Sequence, residues 1–311
     1  MPKPLVSIIV PALNAEGFVG AALASVRDQP VADIEVLVVD AGSSDGTVDL
    51  VAEIVAADPR FRMVGDGRRL SPPQARNLGL RHARAPLVAT LDSDDVMLPN
   101  RLPVAIKVLA EHPTAVATGG QLRFIDPAGL PLQPRPRGMA PPTSPAQLRA
   151  TLPFTCPTLS SAMTYRRQAL EAAGGFDEDH PTIDDYPLLW RLTQAGEVHL
   201  VDEPVAGYRR HPGQITHTSA LRSQWETVLL RQRIAAAILG RKPPLPVVQA
   251  WSWESKDPAT ETLAEAMATA EEMAERCCAD PGATDADRRW IRAAQAARAT
   301  KLQKLMARAS V

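Results

Sequence analysis

The 311-residue chain carries 34 Lys and Arg against 35 Asp and Glu, a formal charge of −1 that gives no field to draw nucleic acid or an anionic membrane. Its three cysteines, Cys156 and the adjacent Cys277 and Cys278, offer neither an even disulfide framework nor a zinc spacing, so free thiols in a reducing compartment are expected. The first apolar run stops at Pro11 and no later window holds about eighteen apolar residues, which argues against a signal peptide or membrane span and predicts a cytoplasmic protein.

In chain order, Leu5–Val10 reads as a buried strand and Gly17–Asp28 as an amphipathic helix. Glu35–Asp40 is the next strand, Gly42–Thr47 a turn, and a helix then runs to Ala57. Phe61–Val64 is a short strand, Pro72–His82 a helix, and Leu87–Leu91 a buried strand running into the acids Asp92, Asp94 and Asp95. Asn100–Glu111 is helical, with strands near Ala115–Thr118 and Gln121–Ile125. The proline-crowded stretch 126–145 is expected to be a surface loop. Ser160–Tyr165 reads as a strand, Arg167–Ala173 as a helix stopped at Gly174-Gly175, Ile183–Gln194 as a helix and Glu197–Val201 as a last strand.

Beyond Ser219 the chain becomes Ala-rich and helical. Leu221–Leu239 carries a stripe of Leu221, Trp225, Val228, Gln232 and Ala235. Gly240–Pro246 breaks that helix, Asp257-Pro258 is a helix-start signal, and 257–309 reads as a helical hairpin parted at Pro281-Gly282. Packing, or contact between copies in a homo-oligomer, is its expected role.

Strands alternating with helices imply βαβ units in a mostly parallel sheet, and ligands bind beyond the carboxyl ends of such strands. Asn14, Asp40 and Asp92 stand at or just past such ends, so they gather on one rim. On an extended backbone Asp92 and Asp94 would face the same way and suit Mg²⁺ or Mn²⁺. Arg76 offers a planar fork for phosphate or a base edge, Asp184 and Asp185 are candidate proton acceptors, and His211 could complete a metal shell. Each piece alone has a bland reading as a cap, a turn or a solvated side chain.

Four segments, 6–14 (VSIIVPALN), 38–47 (VVDAGSSDGT), 75–79 (ARNLG) and 91–95 (LDSDD), resemble in sequence and order the inverting family 2 glycosyltransferases. Segments 174–178 (GGFDE), 184–192 (DDYPLLWRL) and 208–211 (YRRH) continue the likeness, which covers roughly residues 5–218. The resemblance implies an α/β GT-A fold, a Rossmann-like, mostly parallel mixed sheet flanked by helices, followed by a C-terminal helical extension. The expected division is a domain over 1–218, with a nucleotide-binding half at 1–105 and an acceptor half at 106–218, and an extension over 219–311.

It further implies that Pro11, Ala12, Leu13, Asn14, Asp40, Arg76, Asp92 and Ser93 hold the nucleotide sugar. Asp92 and Asp94, with His211, would ligate Mn²⁺ or Mg²⁺, Asp185 would be the catalytic base, and Asp184 and Arg210 are secondary candidates. The implied reaction moves a sugar from a nucleotide diphosphate sugar, a UDP-sugar by family frequency, to a hydroxyl of a carbohydrate or glycolipid acceptor. Polysaccharide or glycoconjugate synthesis is the implied setting, with peripheral docking at the cytoplasmic membrane left open.

The chain departs from the family pattern at three places: Leu13 replaces a frequent base-stacking aromatic, Ala41 a frequent second acid, and Asp184 a common Glu. The Gln-x-x-Arg-Trp signature of processive synthases is missing, since Ala286 precedes Arg289-Trp290. Two other readings stay open: an inactive nucleotide-sugar-binding scaffold, and a sugar nucleotidyltransferase, against which the absence of a basic residue in Ala12–Gly17 argues.

Overall fold

The computed structural model describes residues 3–133, 140–214, 219–251 and 259–309. The helix-start signal Asp257-Pro258 and part of the proline-crowded stretch lie outside the described residues. Contacts divide the chain into two units, Met1–Arg135 with Thr158–Thr218, and Pro136–Pro157 with Ser219–Val311.

The first unit holds one eight-stranded sheet ordered β3-β2-β1-β4-β7-β6-β8-β5. Its leading half alternates β1 (Val6–Ala12), α1 (Val19–Arg27), β2 (Ile34–Asp40), α2 (Thr47–Ala57), β3 (Phe61–Val64), α3 (Pro72–His82) and β4 (Leu87–Thr90). These four strands are parallel. Both β1 and β2 are buried almost throughout, because helices cover both sheet faces. One face packs Val6, Ile8, Val10, Val36 and Val38 against Val19, Leu23 and Val26 of α1. On the other, α3 lies so close that a Cβ on Gly79 would sit 2.5 Å from Ile9 Cγ2.

The trailing half adds β5 (Val96–Met97), α4 (Arg101–Glu111), β6 (Ala115–Ile125), β7 (Met163–Arg166), α6 (Arg167–Ala172), α7 (Asp185–Ala195) and β8 (Glu197–Arg209). β7 runs antiparallel to both β4 and β6, whereas β6 and β8 are parallel. Three expectations are corrected here. The segments read as separate strands on either side of Gly119-Gly120 form one strand, β6, in which a Cβ on Gly120 would meet Val205 Cγ1 at 2.8 Å. The glycines admit a neighbouring strand instead of ending their own. The last strand does not stop at Val201 but continues to Arg209, absorbing Pro204 at register shifts in its pairing with β6. Ser160–Ala162, expected in a strand, is a short 3₁₀ turn before β7.

The second unit comprises α5 (Pro145–Thr151), α8 (Ala220–Leu239), α9 (Leu245–Trp251), α10 (Thr260–Cys278) and α11 (Asp285–Ala309). α5, which begins at the last residue of the stretch expected to be a loop and lies within the expected acceptor half, joins the C-terminal helices through polar and aromatic contacts. Ser144 Oγ and Gln147 Nε2 donate to Asp287, Arg149 pairs with Asp280, and Phe154 meets Trp251 edge-on at 5.1 Å. In the α8 stripe Val228, Gln232 and Ala235 are buried, but Leu221 is 83 % exposed and Trp225 52 %. Among the described residues no helix is long and apolar enough to cross a membrane.

Candidate active site

The carboxyl ends of β1, β2 and β4 carry the loops that build the rim. Asn14 adopts φ 49°, a left-handed conformation that Asn tolerates, and its Oδ1 accepts from Ser44 N at 2.8 Å. Ala15 N donates to Thr47 Oγ1 and Glu16 N to Asp45, so the loops after β1 and β2 are stitched together. Asp40 belongs to this stitching: its carboxylate accepts the amides of Gly42 and Ser43 at 3.2 and 3.1 Å. Ala12 O accepts from Ala41 N at 2.8 Å, while Pro11 and Leu13 are half-buried beside it.

The acids after β4 converge by a different route from the one expected. Residues 92–95 do not continue the strand; Asp95 N donates to Asp92 O at 3.1 Å and closes a turn. Asp92, Asp94 and Asp95 thereby bring carboxylate oxygens within 4.8 Å of one another, with Ser93 half-buried between them. Asp94 Oδ2 meets His211 Nε2 at 3.0 Å. Burial and the neighbouring Asp92 push the Asp94 carboxyl up, and burial with Asp94 and Asp92 pushes Asp95 well above the ordinary range. Asp95 Oδ2 is buried with no hydrogen-bond partner. Crowded oxygens, raised protonation and an orphaned acceptor are what a site for a divalent cation with oxygen ligands presents, so the residues fit such an ion.

Arg76 sits at the centre. Its Nη2 donates to Asp92 Oδ1 at 2.5 Å and its Nη1 to Asp184 Oδ2 at 2.7 Å. Burial alone would lower its pKa, but Asp184, Asp92 and Asp185 outweigh that and raise it. One guanidinium therefore faces three carboxylates. The shortfall of positive charge appears at Asp184, where burial and Asp185 push the carboxyl up to about 7 despite the Arg76 contact.

Segments 75–79 and 174–178 meet through the next residue on α3. Asn77 accepts from Phe176 N at 2.8 Å and donates to Phe176 O at 2.9 Å, while the Arg76 guanidinium lies 5.7 Å from the Phe176 ring. Asp185, first residue of α7, accepts from Ser160 N at 3.3 Å. The adjacent Ser161 accepts from Asp92 N at 3.0 Å. Burial and the Asp92 charge raise the Asp185 carboxyl.

Asp92, Asp94, Asp184, Asp185, Arg76 and His211 are thus joined through shared partners. Asp40 and Asn14 stand on the neighbouring loops, and no direct bond links them to the acids. Arg210 is turned elsewhere: it is exposed and lies 4.5 Å over Phe124. Strand alternation gives the site to Arg209 instead. That buried residue donates from N to Asp95 Oδ1 and from Nε to Asp94 O, and covers Phe18 at 5.2 Å. Phe18 also meets the His211 ring at 4.6 Å. Asp95, Arg209, Ser161 and Phe18 were missed from sequence. Asp95 had a signal as the third acid of the run, and Arg209 as a member of segment 208–211.

Comparison with known proteins places these features in a wider set. The sequence model described as glycosyl transferase family 2 matches residues 7–174. The succinoglycan biosynthesis protein ExoO of Rhizobium meliloti is 33 % identical over 220 residues, covering 67 % of this chain and 61 % of that protein. The chain spans about half to two thirds of the length of several curated relatives it matches. Staphylococcus aureus TarS, solved with UDP-GlcNAc, superposes with a TM-score of 0.62 at 18 % identity over 96 % of this chain and 90 % of that one. The mannosyltransferase PcManGT from Pyrobaculum calidifontis, solved with GDP-Man and Mn²⁺, gives 0.58 at 20 % identity over 99 % and 86 %. The fold is GT-A, a mixed sheet flanked by helices with helices following it.

Proposed function

The chain belongs to glycosyltransferase family 2, and on that premise we propose that it transfers a sugar, with inversion, from a nucleotide diphosphate sugar to an acceptor hydroxyl. The observation that carries this reading is the Ser160–Ala162 turn. It binds Asp185 through one backbone amide and Asp92 through one hydroxyl, holding two acids of different halves at one crevice.

Asp185 is the proton acceptor for the incoming hydroxyl, and burial with the neighbouring Asp92 charge raises its carboxyl and so its basicity. A single displacement needs one such base and a stabilised leaving group, whereas covalent retention would need a placed nucleophile. Asp92, Asp94 and His211 would hold the divalent ion, with Asp95 behind them. Bound there, such an ion would neutralise charge on the departing diphosphate. Arg76 fixes Asp92 and supplies positive charge at the same place. Pro11–Asn14 and Asp40 would frame the base and ribose. The UDP-GlcNAc and GDP-Man held by the structural relatives support a nucleotide-sugar donor, for which a UDP-sugar is our choice. ExoO's part in succinoglycan biosynthesis supports polysaccharide synthesis as the setting, for which a carbohydrate or glycolipid acceptor is our choice.

The test is transfer from a panel of nucleotide sugars with Mn²⁺, with the product's anomeric configuration read by NMR. Asp185→Asn should bind donor within a few-fold of wild type and lose about 10²–10⁴-fold in turnover. Retained turnover in that variant would remove the base assignment, and a retained anomeric configuration would remove the single displacement.

A further inference from the structure

A second group of metal-ligating side chains lies at the other end of β8. His112 is the residue that caps the C-terminus of α4, and Glu197 and His199 open β8. Glu197 and His199 are two apart on a strand and so share a face. The ligand atoms of all three, two imidazole nitrogens and a carboxylate oxygen, lie within 4.8 Å of one another. The two imidazoles are stacked with centroids 4.0 Å apart, and His199 Nε2 contacts Glu197 Oε2 at 3.0 Å.

Surface residues that merely solvate a sheet edge need no such support, but these have it. Thr114 Oγ1 donates to Glu197 Oε2 at 2.9 Å, the kind of outer partner that orients a ligating carboxylate. Gly196 allows the close approach: a Cβ there would meet Val116 Cγ1 at 2.5 Å and Thr114 O at 3.2 Å. The pairing of β6 with β8 shifts register at Ala115/Ala117, the point that faces Glu197 and Val198.

We propose that His112, Glu197 and His199 form a second metal site, for Zn²⁺, that clamps the end of α4 to the start of β8. Two imidazoles and one carboxylate are a Zn²⁺ donor set with a fourth position for water, whereas the group after β4 sets three carboxylates beside the single imidazole of His211, a set richer in the hard oxygens that suit Mg²⁺ or Mn²⁺. His199 and Arg209 are separated by roughly 30 Å of strand, so the two sites take their ions independently. Small side-chain rotations would bring the three donors to bonds of about 2.0–2.2 Å. The site is independent of the transfer reaction proposed above and stands or falls without it.

The test is titration of the full chain carrying Asp94→Asn with Zn²⁺ by calorimetry and with Co²⁺ by visible absorption. One ion per chain is expected, with the intense d–d bands of a four-coordinate site, and Zn²⁺ should raise Tm. In the same background His112→Ala and His199→Ala should each weaken binding more than about tenfold, and Thr114→Val about tenfold, while donor binding by the otherwise wild-type chain is unchanged. Absent bands, or Zn²⁺ affinity indifferent to both histidines, would overturn the proposal. Because Co²⁺ spectra report geometry at the ion, a variant that folds poorly cannot mimic loss of a ligand while its bands persist.

Discussion

Arg76 and Asp184, 108 residues apart in sequence, meet at 2.7 Å with both side chains more than nine-tenths buried. The contact fastens α3 to the start of α7, and the same guanidinium reaches Asp92. Arg76→Met would strand two carboxylates and is expected to cost about 3–5 kcal/mol, read from urea midpoints. Arg76→Lys keeps the charge but not the fork and should fall between the two. Equal stability of all three proteins would show that the pair carries no net energy.

Metal binding should follow the Asp92–Asp95 turn. Asp94→Asn is expected to weaken Mn²⁺ binding at least about tenfold, measured as free Mn²⁺ by electron paramagnetic resonance. His211→Ala, which removes the partner of Asp94 Oδ2, should weaken it less. Unchanged affinity in Asp94→Asn would place the ion elsewhere.

The metal-free chain should lose stability as pH rises through neutrality. The Asp184 carboxyl lies at about 7 in the fold against an ordinary value of 3.8, so between these pH values the folded state holds a proton that the unfolded chain has released. Its contribution is full below pH about 4 and is lost as pH rises through about 7. Asp184→Asn should flatten that decline in a series of Tm measurements at constant ionic strength. A wild-type slope identical to the variant's would refute the assignment.

In the helical unit, Asp287 accepts from Ser144 Oγ, Gln147 Nε2, Thr284 N and Thr284 Oγ1. Burial opposes its ionisation, but these donors prevail and lower its pKa, so its contribution is present above the ordinary Asp value and lost as pH falls through the lowered one. Asp287→Ala is expected to cost about 2–3 kcal/mol at neutral pH, and less near pH 3, by urea unfolding. A loss that does not shrink in acid would mean that the carboxylate is not the operative group.

The leading half was legible because proline, glycine and polar turns mark each switch between β1 and β4, and each strand is short and mostly apolar. The trailing half was not, because its signals conflict. Gly119-Gly120 looks like a break, and Pro204 looks like a stop, yet both lie within long strands whose neighbours require or tolerate them. Asp185 and Arg76 were readable as motif residues. Arg209 stood in segment 208–211 but was not singled out, since Arg209-Arg210 gives no hint which of the two faces inward until β8 has a register. The alternation argument paired Asp92 with Asp94 along a strand, whereas it is the turn at 92–95 that brings their carboxylates together.

The 3₁₀ turn at Ser160–Ala162 has one more implication. Since Ser160 N holds the Asp185 carboxylate and Ser161 Oγ holds the Asp92 backbone amide, two adjacent serines tie together the residues proposed above as base and as ion ligand. Lengthening or shortening the chain there by a single residue would change the spacing of those two acids, whereas the surrounding loops can vary without moving either.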